Sequence, residues 1–202
     1  MPLPEAIDHA PRLHVVTCST RAGRVGDAVA QWFAQEASRF SRLTVERVDL
    51  KTFDLPVFDE PRHPRLGEYA HAHTRAWAAK VQEADAFVFV LPEYNHFPPS
   101  SFVNALTYLS REWHYKPVGF VSYGGVSGGI RAVQAAKPLL CALRMVPVAE
   151  SIAVPDIASR LDVNRTFVAT DAIHAAVEPF LREIDRVARS LRPLRAERPP
   201  AL

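Results

Sequence analysis

A buried strand and a glycine-rich loop meet in Val121-Ser122-Tyr123-Gly124-Gly125-Val126-Ser127-Gly128-Gly129. The apolar run over residues 117–123 predicts a strand, and the spacing over residues 129–143 predicts a helix after it. Glycine is entropically costly, so four glycines in six positions indicate that the backbone approaches something closely. Ligands of open parallel sheets bind at the loops that leave the carboxyl ends of strands. The segment therefore predicts one wall of a ligand site.

Two other loops also follow apolar strands. Pro92-Glu93-Tyr94-Asn95 follows residues 86–91, and it offers an aromatic face together with an amide for ring heteroatoms. Ser19-Thr20-Arg21-Ala22-Gly23-Arg24-Val25-Gly26 precedes a predicted helix and offers hydroxyls, guanidinium groups and backbone N–H groups, which together suit a phosphate. The three loops predict a ligand with a phosphate at one end and a planar ring at the other.

Alternation of strands and helices predicts the fold class. Apolar runs predict strands, and helical spacing follows each of them, as in a doubly wound α/β fold with a five-stranded parallel sheet. The flavodoxin-like order 2-1-3-4-5 makes strands one, three and four neighbours, so their three exit loops meet. We therefore predict this order. The predicted strands lie at residues 13–18, 43–49, 86–91, 117–123 and 147–154.

The chain is expected to form a single domain over residues 12–191, with tails at 1–11 and 192–202. Residues 51–67 contain three prolines and predict a long surface loop. Within the fourth predicted helix, Pro138 predicts a kink or a restart, since an interior proline costs about 3 kcal/mol.

Composition excludes several classes of protein. A formal net charge of +2 is too small to indicate nucleic-acid or membrane binding. Cys18 and Cys141 form no disulfide framework, and we see no secretory leader or bilayer-length apolar run, so a cytoplasmic location is expected. His71 and His73 lie two apart on a predicted helix and would point to different faces, so we predict no metal site.

Other interpretations of the arginine loop remain open. An ordinary helix cap with solvated arginines would have the same composition. A dinucleotide site would use Asp49, which falls near the end of the second strand, but the loop lacks the Gly-x-Gly pair that admits a pyrophosphate. It also lacks the Gly-Lys-Ser/Thr of a P-loop.

Taken together, the motifs over residues 12–155 resemble the NADPH-dependent FMN reductases, a flavodoxin-like family that includes quinone, azo-dye and chromate reductases. The shared motifs are Thr20-Arg21-x-x-Arg24-x-Gly26, Pro92-Glu93-Tyr94-Asn95-His96, Asn104-Ala105-Leu106, Glu112-Trp113-x-x-Lys116-Pro117-Val118 and Ser122-Tyr123-Gly124-Gly125-x-x-Gly128-Gly129-x-Arg131-Ala132.

The resemblance implies a flavoprotein oxidoreductase that binds FMN and uses NAD(P)H as co-substrate. Hydride would pass through FMN to a small acceptor such as a quinone, an azo dye, a metal oxyanion or free flavin. No side chain is expected to be catalytic, because the flavin does the chemistry. A homodimer or homotetramer is implied, with the flavin near the interface. The implied phosphate ligands are Ser19, Arg21, Arg24, Val25 and Gly26, and the implied ring contacts are Pro92, Glu93, Tyr94, Asn95, Ser122, Tyr123, Gly124 and Gly125.

Two alternative functions remain. One is a flavodoxin-like electron carrier, or a supplier of reduced flavin to a partner monooxygenase. The other is a non-catalytic module that binds a phosphate-bearing ligand. A pocket over the ring that is wide enough for nicotinamide would favour the reductase over the carrier.

Overall fold

The computed structural model describes residues 10–40 and 42–196. Of the tails predicted at 1–11 and 192–202, residues 1–9 and 197–202 lie outside the described residues. Within the described part, a parallel sheet has the strand order 2-1-3-4-5, which confirms the predicted flavodoxin-like topology. The strands are β1 (Arg12–Thr17), β2 (Thr44–Asp49), β3 (Ala86–Pro92), β4 (Pro117–Tyr123) and β5 (Val146–Val154).

Helices cover both faces of the sheet. Two of them pack on one face, where Phe33 and Phe180 meet, and three pack on the other, where Phe89 contacts Phe102. Every residue of β3 is buried as a result, which explains its unbroken apolar sequence. The helices are α1 (Gly26–Arg39), α2 (Ala72–Glu83), α3 (Ser100–Thr107), α4 (Ile130–Ala142) and α5 (Asp171–Ala196).

One local prediction needs correction, and one alternative of another is excluded. Pro138 lies inside α4, which is continuous from Ile130 to Ala142, so the helix does not restart there and the predicted kink stays a prediction. The predicted C-terminal tail begins inside α5, which continues to Ala196. The guanidinium of Arg195 donates to Asp85 Oδ1 at 2.8 Å and to the carbonyl of Tyr115 at 3.1 Å, and these contacts hold the last turn. Their partners lie far away in sequence, so helical periodicity could not reveal them.

Candidate functional site

The three predicted loops meet at the carboxyl ends of β1, β3 and β4. Between them lies a cavity of about 210 Å³. Nine of the thirteen predicted site residues line it, together with Ile157, which follows β5 and was not predicted. The lining residues are Arg21, Arg24, Val25, Pro92, Glu93, Tyr94, Tyr123, Gly124, Gly125 and Ile157. The four predicted site residues that do not line the cavity are Ser19, Gly26, Asn95 and Ser122.

The loop between β1 and α1 presents free backbone donors. Among the residues that the structure describes, the backbone N–H groups of residues 19–23 and 25–27 donate no hydrogen bond. Those of Gly26 and Asp27 belong to the first turn of α1, where the helix dipole is positive. Such an arrangement favours an anion.

The guanidinium of Arg24 is engaged within the protein, although Arg24 also lines the cavity. Its guanidinium donates to both carboxylate oxygens of Asp49, to Asp27 at 2.8 Å and to the carbonyl of Ser19 at 2.6 Å, and its side chain is only 10% exposed. Burial opposes its charge, but the two carboxylates raise the pKa of Arg24 above its usual value. Arg24 therefore ties the loop to the end of β2, and its partner there is Asp49, the residue that a dinucleotide site would have used.

Arg21 behaves differently from Arg24. Its side chain is exposed, lines the cavity and makes no hydrogen bond or ion pair within the described part of the chain. Of the two predicted arginines, Arg21 is thus the one whose guanidinium is free for a ligand.

Buried hydroxyl groups lie beneath the loop. Ser19 Oγ is 2.7 Å from the hydroxyl of Tyr94. The hydroxyl of Tyr123 is buried with no hydrogen-bond partner among the described residues. A Cβ at Gly26 would lie 2.6 Å from that oxygen, so only glycine allows this approach. Burial raises the pKa of Tyr123, which leaves the phenol protonated and able to donate.

The loop after β3 is a tight hairpin. Tyr94 and Phe97 exchange both backbone hydrogen bonds, at 2.9 and 3.0 Å, and Asn95 and His96 both have positive φ, as a type I′ turn requires. Asn95 is exposed at the tip and does not line the cavity. Its predicted contact with the ring stays a prediction.

Glu93 joins this hairpin to the glycine loop. Its carboxylate accepts from Ser127 Oγ at 2.9 Å and from Arg131 Nε at 2.7 Å. Burial would raise the pKa of Glu93, but these hydrogen bonds hold it below its usual value. The carboxylate thus joins the two walls, and the ring contact of Glu93, which lines the cavity, stays a prediction.

The glycine loop divides into two halves. Gly128 and Gly129 have positive φ, and a Cβ on Gly129 would lie 2.8 Å from Tyr123 N, so these two glycines serve the turn. Gly124 and Gly125 line the cavity, and a Cβ on Gly125 would meet nothing within 4 Å. Ser122, predicted as a ring contact, is buried and donates to the carbonyl of Gly128 at 2.8 Å.

A larger groove of about 850 Å³ lies beside the cavity, between residues 50–58 and α3. It is lined largely by apolar side chains, among which Val57 is 88% and Phe97 55% exposed. Thr20 and Phe97 line the groove, while Arg21 and Tyr94 line the cavity, so the two depressions flank the same two loops. Part of the predicted surface loop over 51–67 therefore forms a wall of the groove.

Two groups of histidines lie away from the cavity. His71 precedes α2 and its ring stacks on His73 at 5.2 Å, so the two rings lie together, contrary to the sequence argument. On β1 and β2, His14 lies 3.3 Å from Glu46, and the ammonium of Lys80 bonds to both Glu46 and Glu83. Lys80 thus supplies the positive charge that these carboxylates require.

Comparison with known proteins identifies relatives of the chain. An NAD(P)H-dependent FMN reductase of Schizosaccharomyces pombe is 40% identical over 137 residues, which cover 66% of this chain and 68% of that protein. An NAD(P)H:quinone oxidoreductase of Solanum tuberosum is 40% identical over 60 residues, or 28% of this chain and 31% of that one. The solved structure of FerB, a flavoenzyme NAD(P)H:(acceptor) oxidoreductase from Paracoccus denitrificans, superposes with a TM-score of 0.69 at 19% identity, covering 87% and 98% of the two chains.

Two further findings bear on the class of protein. Among the described residues, no helix has both the length and the apolar character needed to cross a bilayer. Residues 11–158 match the sequence pattern of the family NADPH-dependent FMN reductase, which is most of the chain. The chain therefore belongs to the NADPH-dependent FMN reductase family and is a flavodoxin-like oxidoreductase.

Proposed function

We propose that this enzyme binds FMN between the three loops and transfers hydride from NAD(P)H to small acceptors such as quinones, azo dyes, metal oxyanions or free flavin. The observation that carries the proposal is a set of N–H groups at the start of α1 that donate no hydrogen bond among the described residues. They lie next to a cavity lined by Tyr94 and Gly125. When bound, FMN would supply the hydride chemistry.

The residues present fit an FMN phosphate. Among the described residues, the guanidinium of Arg21 has no partner, and the N–H groups of Val25, the N-cap of α1, and of Gly26, its first residue, donate no hydrogen bond. Charge-assisted hydrogen bonds from these donors suit a terminal phosphate. Ser19 would act indirectly, since its hydroxyl holds Tyr94 at 2.7 Å.

The ring would lie between the hairpin and the glycine loop. The cavity lining includes three residues with rings, Pro92, Tyr94 and Tyr123, and two glycines, Gly124 and Gly125. Among the described residues, the N–H of Gly125 donates no hydrogen bond, so it is available to stabilise negative charge on a bound ring. Ligand pockets commonly measure roughly 300–1,000 Å³. A cavity of about 210 Å³ would therefore enclose only part of the flavin and leave the rest open to nicotinamide and acceptor.

The neighbouring groove supports a homodimer, with a homotetramer as a further assembly. Val57 and Phe97 are exposed apolar side chains on its walls, and such surface is commonly covered by a protein partner. We also propose one FMN-binding domain that includes residues 12–191 and a cytoplasmic location, the latter because Cys18 and Cys141 are both free thiols.

An absorption spectrum of the purified full chain with FMN, before and after anaerobic addition of NADPH, tests the function. We expect bound flavin with a shifted visible band that bleaches within seconds to minutes. Bound flavin that neither NADPH nor NADH bleaches would instead favour an electron carrier, or a supplier of reduced flavin to a monooxygenase. Failure to bind FMN would contradict the proposal.

A further inference from the structure

We propose that Arg165, which lies outside the segment that matches the family, provides the second guanidinium of the FMN phosphate site. This inference rests on the proposed FMN binding. Arg165 Nη2 donates to the carbonyl of Gly23 at 3.1 Å, a contact between residues 142 positions apart. Gly23 lies in the phosphate loop, so the contact brings a cation to the edge of the free N–H groups.

The segment that carries Arg165 is a turn held by its own hydrogen bonds. Leu161 and Phe167 pair as an antiparallel bridge, and the Asp162 carboxylate accepts from the backbone N–H groups of Asn164 and Thr166, each at 2.8 Å. Arg165 itself has a φ of 61°, a left-handed conformation that this turn imposes.

Packing anchors the same segment to α1. Phe167 is buried, and its ring meets that of Trp32 at 5.0 Å in an edge-to-face contact. Upstream, Ile157 lines the cavity, and its N–H donates to the carbonyl of Gly124 at 3.0 Å. The segment after β5 thus reaches the cavity at one end and the phosphate loop at the other, and Arg165 is held in place.

The phosphate loop by itself offers less positive charge than a phosphate carries negative charge, so a second cation would complete the site. The positive charge of Arg24 is paired with two carboxylates, those of Asp27 and Asp49, which together carry more negative charge than Arg24 carries positive charge. Arg21 is then the one loop cation without a carboxylate partner in the described part of the chain, whereas a phosphate monoester carries about −1.5 to −2 charges near neutral pH. Apart from its bond to Gly23, the guanidinium of Arg165 makes no hydrogen bond or ion pair among the described residues, so its other N–H groups are available.

Comparing FMN with riboflavin tests the assignment, because the two differ only by the phosphate. The full chain, stripped of flavin, is titrated with each ligand while flavin fluorescence is followed. For Arg165→Ala we expect FMN affinity to fall about tenfold, as for loss of one charge-assisted contact, with riboflavin affinity within about twofold of wild type. Arg165→Lys keeps the charge and should recover part of the FMN affinity.

Two variants serve as controls. Val163→Ala changes the same turn at a side chain that is 98% exposed, and Arg182→Ala removes one positive charge from the surface of α5. Both should bind FMN like wild type. The inference is overturned if Arg165→Ala binds FMN like wild type, or if it loses FMN and riboflavin affinity equally. A wild-type chain that binds no FMN would overturn the proposed function and this inference with it.

Discussion

Replacing Arg24 by alanine tests whether this arginine stabilises the fold, in contrast to Arg21, which is proposed to bind the ligand. The change removes hydrogen bonds to Asp49, Asp27 and the carbonyl of Ser19. Each bond to a charged group contributes roughly 1.5–3 kcal/mol in favourable sites. The Asp49 side chain is 28% exposed, so solvent recovers part of this loss, and we expect the free energy of unfolding to fall by about 2 kcal/mol.

The expected loss is measurable by thermal unfolding of the flavin-free full chain. In domains of about 150–250 residues, 1 kcal/mol shifts Tm by about 2–4 °C, so Arg24→Ala should lower Tm by about 4–8 °C. Asp49→Asn should lower Tm in the same direction, since it weakens the same contact. Arg21→Ala is the matched comparison, because its exposed guanidinium has no partner among the described residues.

Arg21→Ala should leave the free energy of unfolding within about 0.5 kcal/mol of wild type. It should nevertheless weaken FMN binding about tenfold and spare riboflavin binding. A different result would contradict this assignment: Arg24→Ala that melts like wild type and loses affinity for FMN but not for riboflavin. Arg24 would then be the direct phosphate ligand that the family resemblance implied.

Three further predictions follow from the site and its surroundings. One shared face for NAD(P)H and acceptor should produce parallel double-reciprocal lines when NADPH is varied at several quinone concentrations, and intersecting lines would indicate separate sites. Burial lowers the pKa of His14 from 6.5 to about 4, although Glu46 opposes the shift, so between these pH values the unfolded chain binds a proton that the folded chain excludes. The free energy of unfolding should therefore decrease as the pH falls from 6.5 to 4 in urea titrations, and His14→Gln should reduce that slope; an unchanged slope would contradict the assignment. Phe97→Glu should convert the proposed dimer to monomers in sedimentation experiments, whereas an unchanged mass would place the interface elsewhere.

The sheet could be predicted from the sequence because apolar runs and the loops that follow them are features of short segments of the chain. The apolar run that became β3 is buried on both faces. Apolar runs located the strands, and the three exit loops with ligand-type residues favoured the order that makes β1, β3 and β4 neighbours. The same logic failed at the end of α5, where Arg195 reaches Asp85 across 110 positions. It failed again at His71 and His73, since α2 begins after the first of them and the rings stack.

For the site, the sequence by itself determined which loops converge, because strand order brings the ends of β1, β3 and β4 together. Only the tertiary structure decided what each side chain does there. Arg21 and Arg24 look equivalent in sequence, but Asp49, 25 positions beyond Arg24, binds Arg24 and leaves Arg21 free. Arg165 reaches the phosphate loop from 142 positions away. A guanidinium donates to whichever acceptor the fold brings near it, and the spacing of residues along the chain does not predict the distance between the two groups.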